Sequence, residues 1–187
     1  YTPYQPEASQ GLLQSIFEFQ TMVCELTGME VANASMYDAS TALAESALMA
    51  CQITGRSKVV VSQAVHPHYR QVLRTYLWTN SRQLVEVPAR AGLTDLDALT
   101  AALDDETACA MVQYPNFFGA IESLQPVSDA AHRVGALAIA CVDPIALGVL
   151  KPPGEYDFDI VVGEGQGLGN AMGFGGPMLG LFACKQA

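Results

Sequence analysis

The chain has 187 residues, 50% apolar and only 15% charged, so it has enough apolar surface to bury a core and is expected to form one domain over residues 1–187. Its net charge of −10, with lysines and arginines scattered singly, argues against a nucleic-acid surface, which needs clustered basic residues. Five dispersed cysteines with no C-x-x-C pair point to buried free thiols in a reducing cytosol, not to disulfides or a metal centre.

The opening Tyr1-Thr2-Pro3-Tyr4-Gln5-Pro6-Glu7 has neither the basic start nor the apolar stretch of a signal peptide, and it lacks an initiator methionine. A piece of a longer subunit is therefore expected. No apolar run is long enough to span a bilayer. Residues 8–27 carry Leu12, Leu13, Ile16, Phe17, Val23 and Leu26 near a 3.6-residue period and meet Gly28, which predicts a helix ending there. A polar turn, residues 33–41, leads into 42–53, whose Ala, Leu and Met content predicts a buried helix.

From Lys58 the pattern alternates. Strands are predicted at 59–62, 83–87, 108–113, 136–142, 158–162 and 179–183, and helices at 66–78, 94–103 and 127–134. Thr94 with Asp97 three residues on resembles a capping box. Short apolar strands alternating with helices predict an α/β fold, a mostly parallel sheet with helices on both faces.

Ligands of such sheets sit beyond the carboxyl ends of the strands. His66 and His68 follow the first predicted strand, Asp143 the fourth and Gln166 the fifth. Ser40 and Thr41 stand at a helix start, where free N–H groups and the helix dipole favour a phosphate; taken alone, plain N-capping by Asp38 or Ser40 is the simpler reading. Asp143 suits a protonated pyridine nitrogen, or an Asx turn before Pro144. His66 suits stacking on a cofactor ring, or a solvated loop.

The tract Val162-Gly163-Glu164-Gly165-Gln166-Gly167-Leu168-Gly169, with Phe174-Gly175-Gly176-Pro177 after it, lacks both the Gly-Lys-Ser/Thr ending and the G-x-G-x-x-G spacing of nucleotide loops. It follows a strand where many pyridoxal-phosphate enzymes carry their cofactor-holding lysine. Here Gln166 takes that place, and no lysine occurs between Lys151 and Lys185. An amide cannot replace the amine in the covalent link.

The opening motif, Ser9-Gln10-Gly11, Glu18-Phe19-Gln20, Asn33-Ala34-Ser35-Met36-Tyr37-Asp38 and the closing 159–166 and 174–177 together resemble the glycine decarboxylase P-protein family of the glycine cleavage system, its amino-terminal half or subunit 1. The resemblance covers nearly the whole chain and implies the aspartate-aminotransferase-like (fold type I) large domain. It implies a division of labour: a lysine-bearing subunit 2 holds pyridoxal phosphate, and this chain completes the pocket. The assembled enzyme would decarboxylate glycine and pass the aminomethyl group to the lipoyl arm of the H-protein. Tyr1, Tyr4, Tyr37 and Asp38 are the candidates to reach the partner's active site. Ser40, Thr41, His66, Asp143 and Gln166 become cofactor-contacting positions that are vestigial without the lysine. A full subunit 1 would extend beyond both ends of this chain. The competing expectations are a self-sufficient pyridoxal enzyme using Lys151 or Lys185, and a non-catalytic scaffold.

Overall fold

The computed structural model describes residues 2–186. Its helices are α1 (Gln10–Thr27), α2 (Ala39–Thr54), α3 (Pro67–Thr79), α4 (Leu96–Ala102) and α5 (Leu124–Arg133). The strands are β1 (Val31–Ala32), β2 (Lys58–Ser62), β3 (Gln83–Val87), β4 (Ala89–Arg90), β5 (Leu93–Thr94), β6 (Thr107–Tyr114), β7 (Leu137–Val142), β8 (Ile160–Glu164) and β9 (Gly180–Cys184).

One seven-stranded sheet runs in the order β1-β9-β8-β7-β6-β2-β3. Strands β3, β2, β6, β7 and β8 pair in parallel, while β9 is antiparallel to both β8 and β1. Along β7, Ala138, Ala140 and Val142 join a core with Val23 of α1, Leu99 of α4 and Val127 of α5. Ile139 and Cys141 point to the other core, with Leu43 of α2 and Leu73 and Leu77 of α3. The two-residue alternation thus feeds two cores, which is why the strand is apolar throughout. Each fully buried leucine here contributes about 1.5–3 kcal/mol.

The helix ends follow local chemistry. Gly28 stops α1 in the left-handed region at φ 71°, its N–H donating to Cys24 O. A Cβ on Gly154 would lie 2.0 Å from Gly28 O, so α1 sits directly on the 152–154 segment. Pro67 opens α3, and the His66 ring accepts the His68 N–H at 3.1 Å as its cap.

The capping box expected on Thr94 is corrected. Asp95 caps α4, accepting the Ala98 N–H at 3.1 Å. Thr94 is unavailable because its backbone pairs in the β4–β5 hairpin and its hydroxyl donates to Glu122. That hairpin, the short β1 and the reversed direction of β9 had no counterpart among the expected elements.

Candidate functional site

The sheet reverses its winding at β2, which lies between β3 and β6, so the crevice beyond the carboxyl ends of β2 and β6 is the natural ligand position. His66 stands there. Its N–H donates to Gln113 Oε1 at 2.8 Å, tying β2 to β6. Its ring stacks on Tyr69 at 4.6 Å and meets Phe117 edge-on at 4.9 Å. Burial, helped by His68 and Arg70, holds the imidazole pKa below its usual value.

Beside it opens a cleft of about 410 Å³ lined by Tyr69, Gln113, Cys141, Val142, Asp143, Ile145, Glu164, Gln166 and Gly167. The fold therefore brings Asp143 and Gln166 together, with His66 at the edge through Tyr69 and Gln113. Asp143 makes the Asx turn, its Oδ1 accepting the Ile145 N–H at 3.0 Å. The Gln166 side-chain amide donates to Asn170 O. Cys141 is no nucleophile: burial, then the Glu164 charge, pushes its thiol up to about 12. Burial likewise raises the Tyr69 phenol, with Cys141, Glu164 and Asp38 adding to the effect.

The start of α2 faces the same cleft through Glu164, and its Ala39 and Thr41 N–H donors are already taken. Asp38 Oδ1 accepts the Thr41 N–H at 2.7 Å and the Ser40 and Thr41 hydroxyls at 2.7 and 3.0 Å. Burial works to raise the Asp38 carboxyl; these donors outweigh it and hold the pKa below the ordinary value. Glu164 Oε2 accepts the Ala39 N–H at 3.1 Å, and its Oε1 accepts those of Gln166 at 3.0 Å and Leu179 at 2.8 Å. Two carboxylates therefore stand where a phosphate was expected to meet Ser40 and Thr41.

All three lysines are placed away from this chemistry. Lys58 opens β2 and pairs with Asp104 at 2.7 Å. Lys185 pairs with Asp157 at 2.7 Å and Asp159 at 3.0 Å, at the amino end of β8. Lys151 pairs with Glu155 at 3.5 Å and lies over the Tyr156 ring. The self-sufficient alternative built on Lys151 or Lys185 is thereby corrected, because neither amine reaches the cleft. The residues present do not fit a phosphorylated, lysine-linked cofactor.

Tyr4 and Tyr37 are 87% and 89% exposed and line no part of the cleft. Tyr1 lies outside the described residues. Asp38 acts here as a helix cap. Sequence reasoning missed Glu164, Tyr69 and Gln113. Gln113 had a signal, as a polar residue directly after the apolar run Ala108–Val112, and so did Glu164, a carboxylate ending a buried strand.

A family model described as the glycine cleavage system P-protein matches residues 1–187. The chain belongs to that family. It is 57% identical over 185 residues to the "Probable glycine dehydrogenase (decarboxylating) subunit 1" of Desulforamulus reducens, covering 99% of this chain and 42% of that protein. The counterpart of the same name in Geobacillus thermodenitrificans is 56% identical, over 99% of this chain and 41% of that one. The chain thus spans less than half the length of these P-protein relatives. A crystal structure of glycine decarboxylase (P-protein) of the glycine cleavage system, in inhibitor-bound form, superposes with a TM-score of 0.95 at 55% identity, covering 100% of this chain and 42% of that one. A sphingosine-1-phosphate lyase from Burkholderia pseudomallei shares the fold, with a TM-score of 0.76 at 13% identity, covering 98% of this chain and 47% of that one. The fold is that of the fold type I pyridoxal-phosphate enzymes. Among the described residues no helix is long and apolar enough to cross a membrane.

Proposed function

We propose that this chain is a domain of subunit 1 of a glycine-decarboxylating P-protein and acts with a lysine-bearing subunit 2. The observation that carries this reading is the superposition of the whole chain on a solved glycine decarboxylase. Pyridoxal phosphate, held by the partner, supplies the electron sink for decarboxylation. This chain contributes surface instead. Ile145 lines the cleft and is exposed, as are Phe117 and Phe118 in the turn beside His66 and Leu168 in the glycine-rich loop, and exposed apolar side chains suit a protein interface. Covering them excludes water from the joint between subunits. Tyr4 and Tyr37 extend outward to reach the partner's pocket or the lipoyl arm of the H-protein. The assembled enzyme then works in the cytoplasm.

The test is reconstitution. The full chain, the lysine-bearing subunit and lipoylated H-protein are mixed, and carbon dioxide release from carboxyl-labelled glycine is measured. Turnover is expected from the mixture and from neither subunit alone. Turnover by this chain by itself, or a silent mixture, overturns the reading.

A further inference from the structure

Three backbone N–H groups from three separate segments converge on Glu164: Ala39 at the start of α2, Gln166 after β8 and Leu179 before β9. Convergent main-chain donors at a helix start are the construction of a phosphate seat. Glycines bring these segments together. A Cβ on Gly180 would lie 2.5 Å from Asp38 O and 2.7 Å from Met36 Cβ, and the Gly165 N–H donates to Leu179 O at 2.6 Å. The occupant is internal, however. Two residues on from Ala39, the Thr41 N–H of the same helix turn is held by a second carboxylate, Asp38. Among the described residues no lysine or arginine lines the cleft to offset a further negative charge.

We propose that the Glu164 carboxylate stands in for a ligand phosphate and closes this chain's own cleft to phosphate monoesters. It is a built-in anion that keeps the glycine-rich loop docked on α2. The missing lysine and the filled seat are then two independent features that exclude pyridoxal phosphate from this subunit. The inference deepens the reading in which the partner holds the cofactor, and the two fail separately, because anion occupancy is read without any glycine turnover.

The test uses the full chain with inorganic phosphate as probe and thermal unfolding as readout. Wild type shows no phosphate-dependent shift beyond that of sodium chloride at matched ionic strength. Glu164→Ala exposes three N–H groups. It unfolds at a lower temperature, and phosphate a hundredfold above its Kd raises the midpoint by roughly 5–10 °C. Pyridoxal 5′-phosphate reproduces the rise and pyridoxal does not. Glu164→Ser, whose short side chain also vacates the seat, carries the same test if the alanine variant does not fold, and it too gains a phosphate response. A wild-type response equal to that of the variants overturns the proposal, as does a variant that folds and ignores phosphate.

Discussion

The carboxylate of Glu122 receives the Thr94 hydroxyl at 2.9 Å and the Thr94 N–H at 3.1 Å, with both residues buried. Asn116 Nδ2 donates to the same carboxylate at 2.8 Å, and the Ser62 hydroxyl lies 2.7 Å from that of Thr94. One anion therefore binds the end of β2, the β4–β5 hairpin and the turn that carries Phe117 and Phe118. Glu122→Ala strands the Thr94 N–H and one of the two Asn116 Nδ2 hydrogens in the interior, the other staying on Gly92 O, each at about 1–3 kcal/mol. The expected loss is about 3 kcal/mol, read as a lower urea midpoint at unchanged slope. Glu122→Gln loses less, because its amide oxygen still accepts.

The seating of α1 on residues 152–154 predicts a contrast between two glycines. Gly154→Ala forces a Cβ against Gly28 O and has to push the helix end away, whereas a Cβ on Gly11 meets nothing within 4 Å. The first substitution is expected to cost more than about 3 kcal/mol, at the severe end for single substitutions. Gly11→Ala, within α1, is expected to add about 0.5–1 kcal/mol by reducing backbone freedom in the unfolded chain. Paired urea curves decide both.

His66 gives the stability a pH dependence near neutrality. Its folded pKa lies below the ordinary value through burial and the adjacent His68 and Arg70. As the pH falls through about 6.5 the unfolded chain takes up the proton first, so stability declines until the folded value is passed. The contribution is fully present above the unfolded pKa. His66→Phe is expected to flatten the fall in urea midpoint between pH 7 and 5. A fall as steep as in wild type shows that other groups carry it.

Tyr4 and Tyr37 are too exposed to support the fold. Alanine at both positions is expected to change stability by no more than about 0.5 kcal/mol. In the reconstituted enzyme the same pair is expected to weaken assembly or turnover by about tenfold or more, as interface tyrosines do. Unchanged assembly and turnover assign the chain a scaffold role instead.

The sequence was most legible where one local rule decides the outcome. Gly28 ended α1 because a left-handed residue was needed, and residues 83–87 formed a strand with the expected bounds. The β4–β5 turn stayed hidden because it uses Ala91 at φ 50° before Gly92 at φ 81°, without the Asn-Gly or Asp-Gly that marks such hairpins. The direction of β9 was hidden because an apolar strand reads alike in either orientation. Within the site, Asp143 and Gln166 were found from their places after strands. Glu164 escaped notice because the tract around it was read for the spacing of its glycines and for the missing lysine at Gln166. Its partners come from residues 39 and 179, which only the tertiary fold brings near.

Because β9 is inserted between β1 and β8, the first and last strands among the described residues are neighbours. Residue 32 leaves the ribosome long before residue 180, so α1 and β1 emerge with no strand to receive them. Their apolar side must wait in contact with water or with a chaperone until residues 180–184 arrive. Closing such a long-range pairing is slow and leaves the nascent polypeptide open to association with other chains. Production in cells is therefore expected to respond to how this late strand is delivered as well as to the stability of the finished sheet.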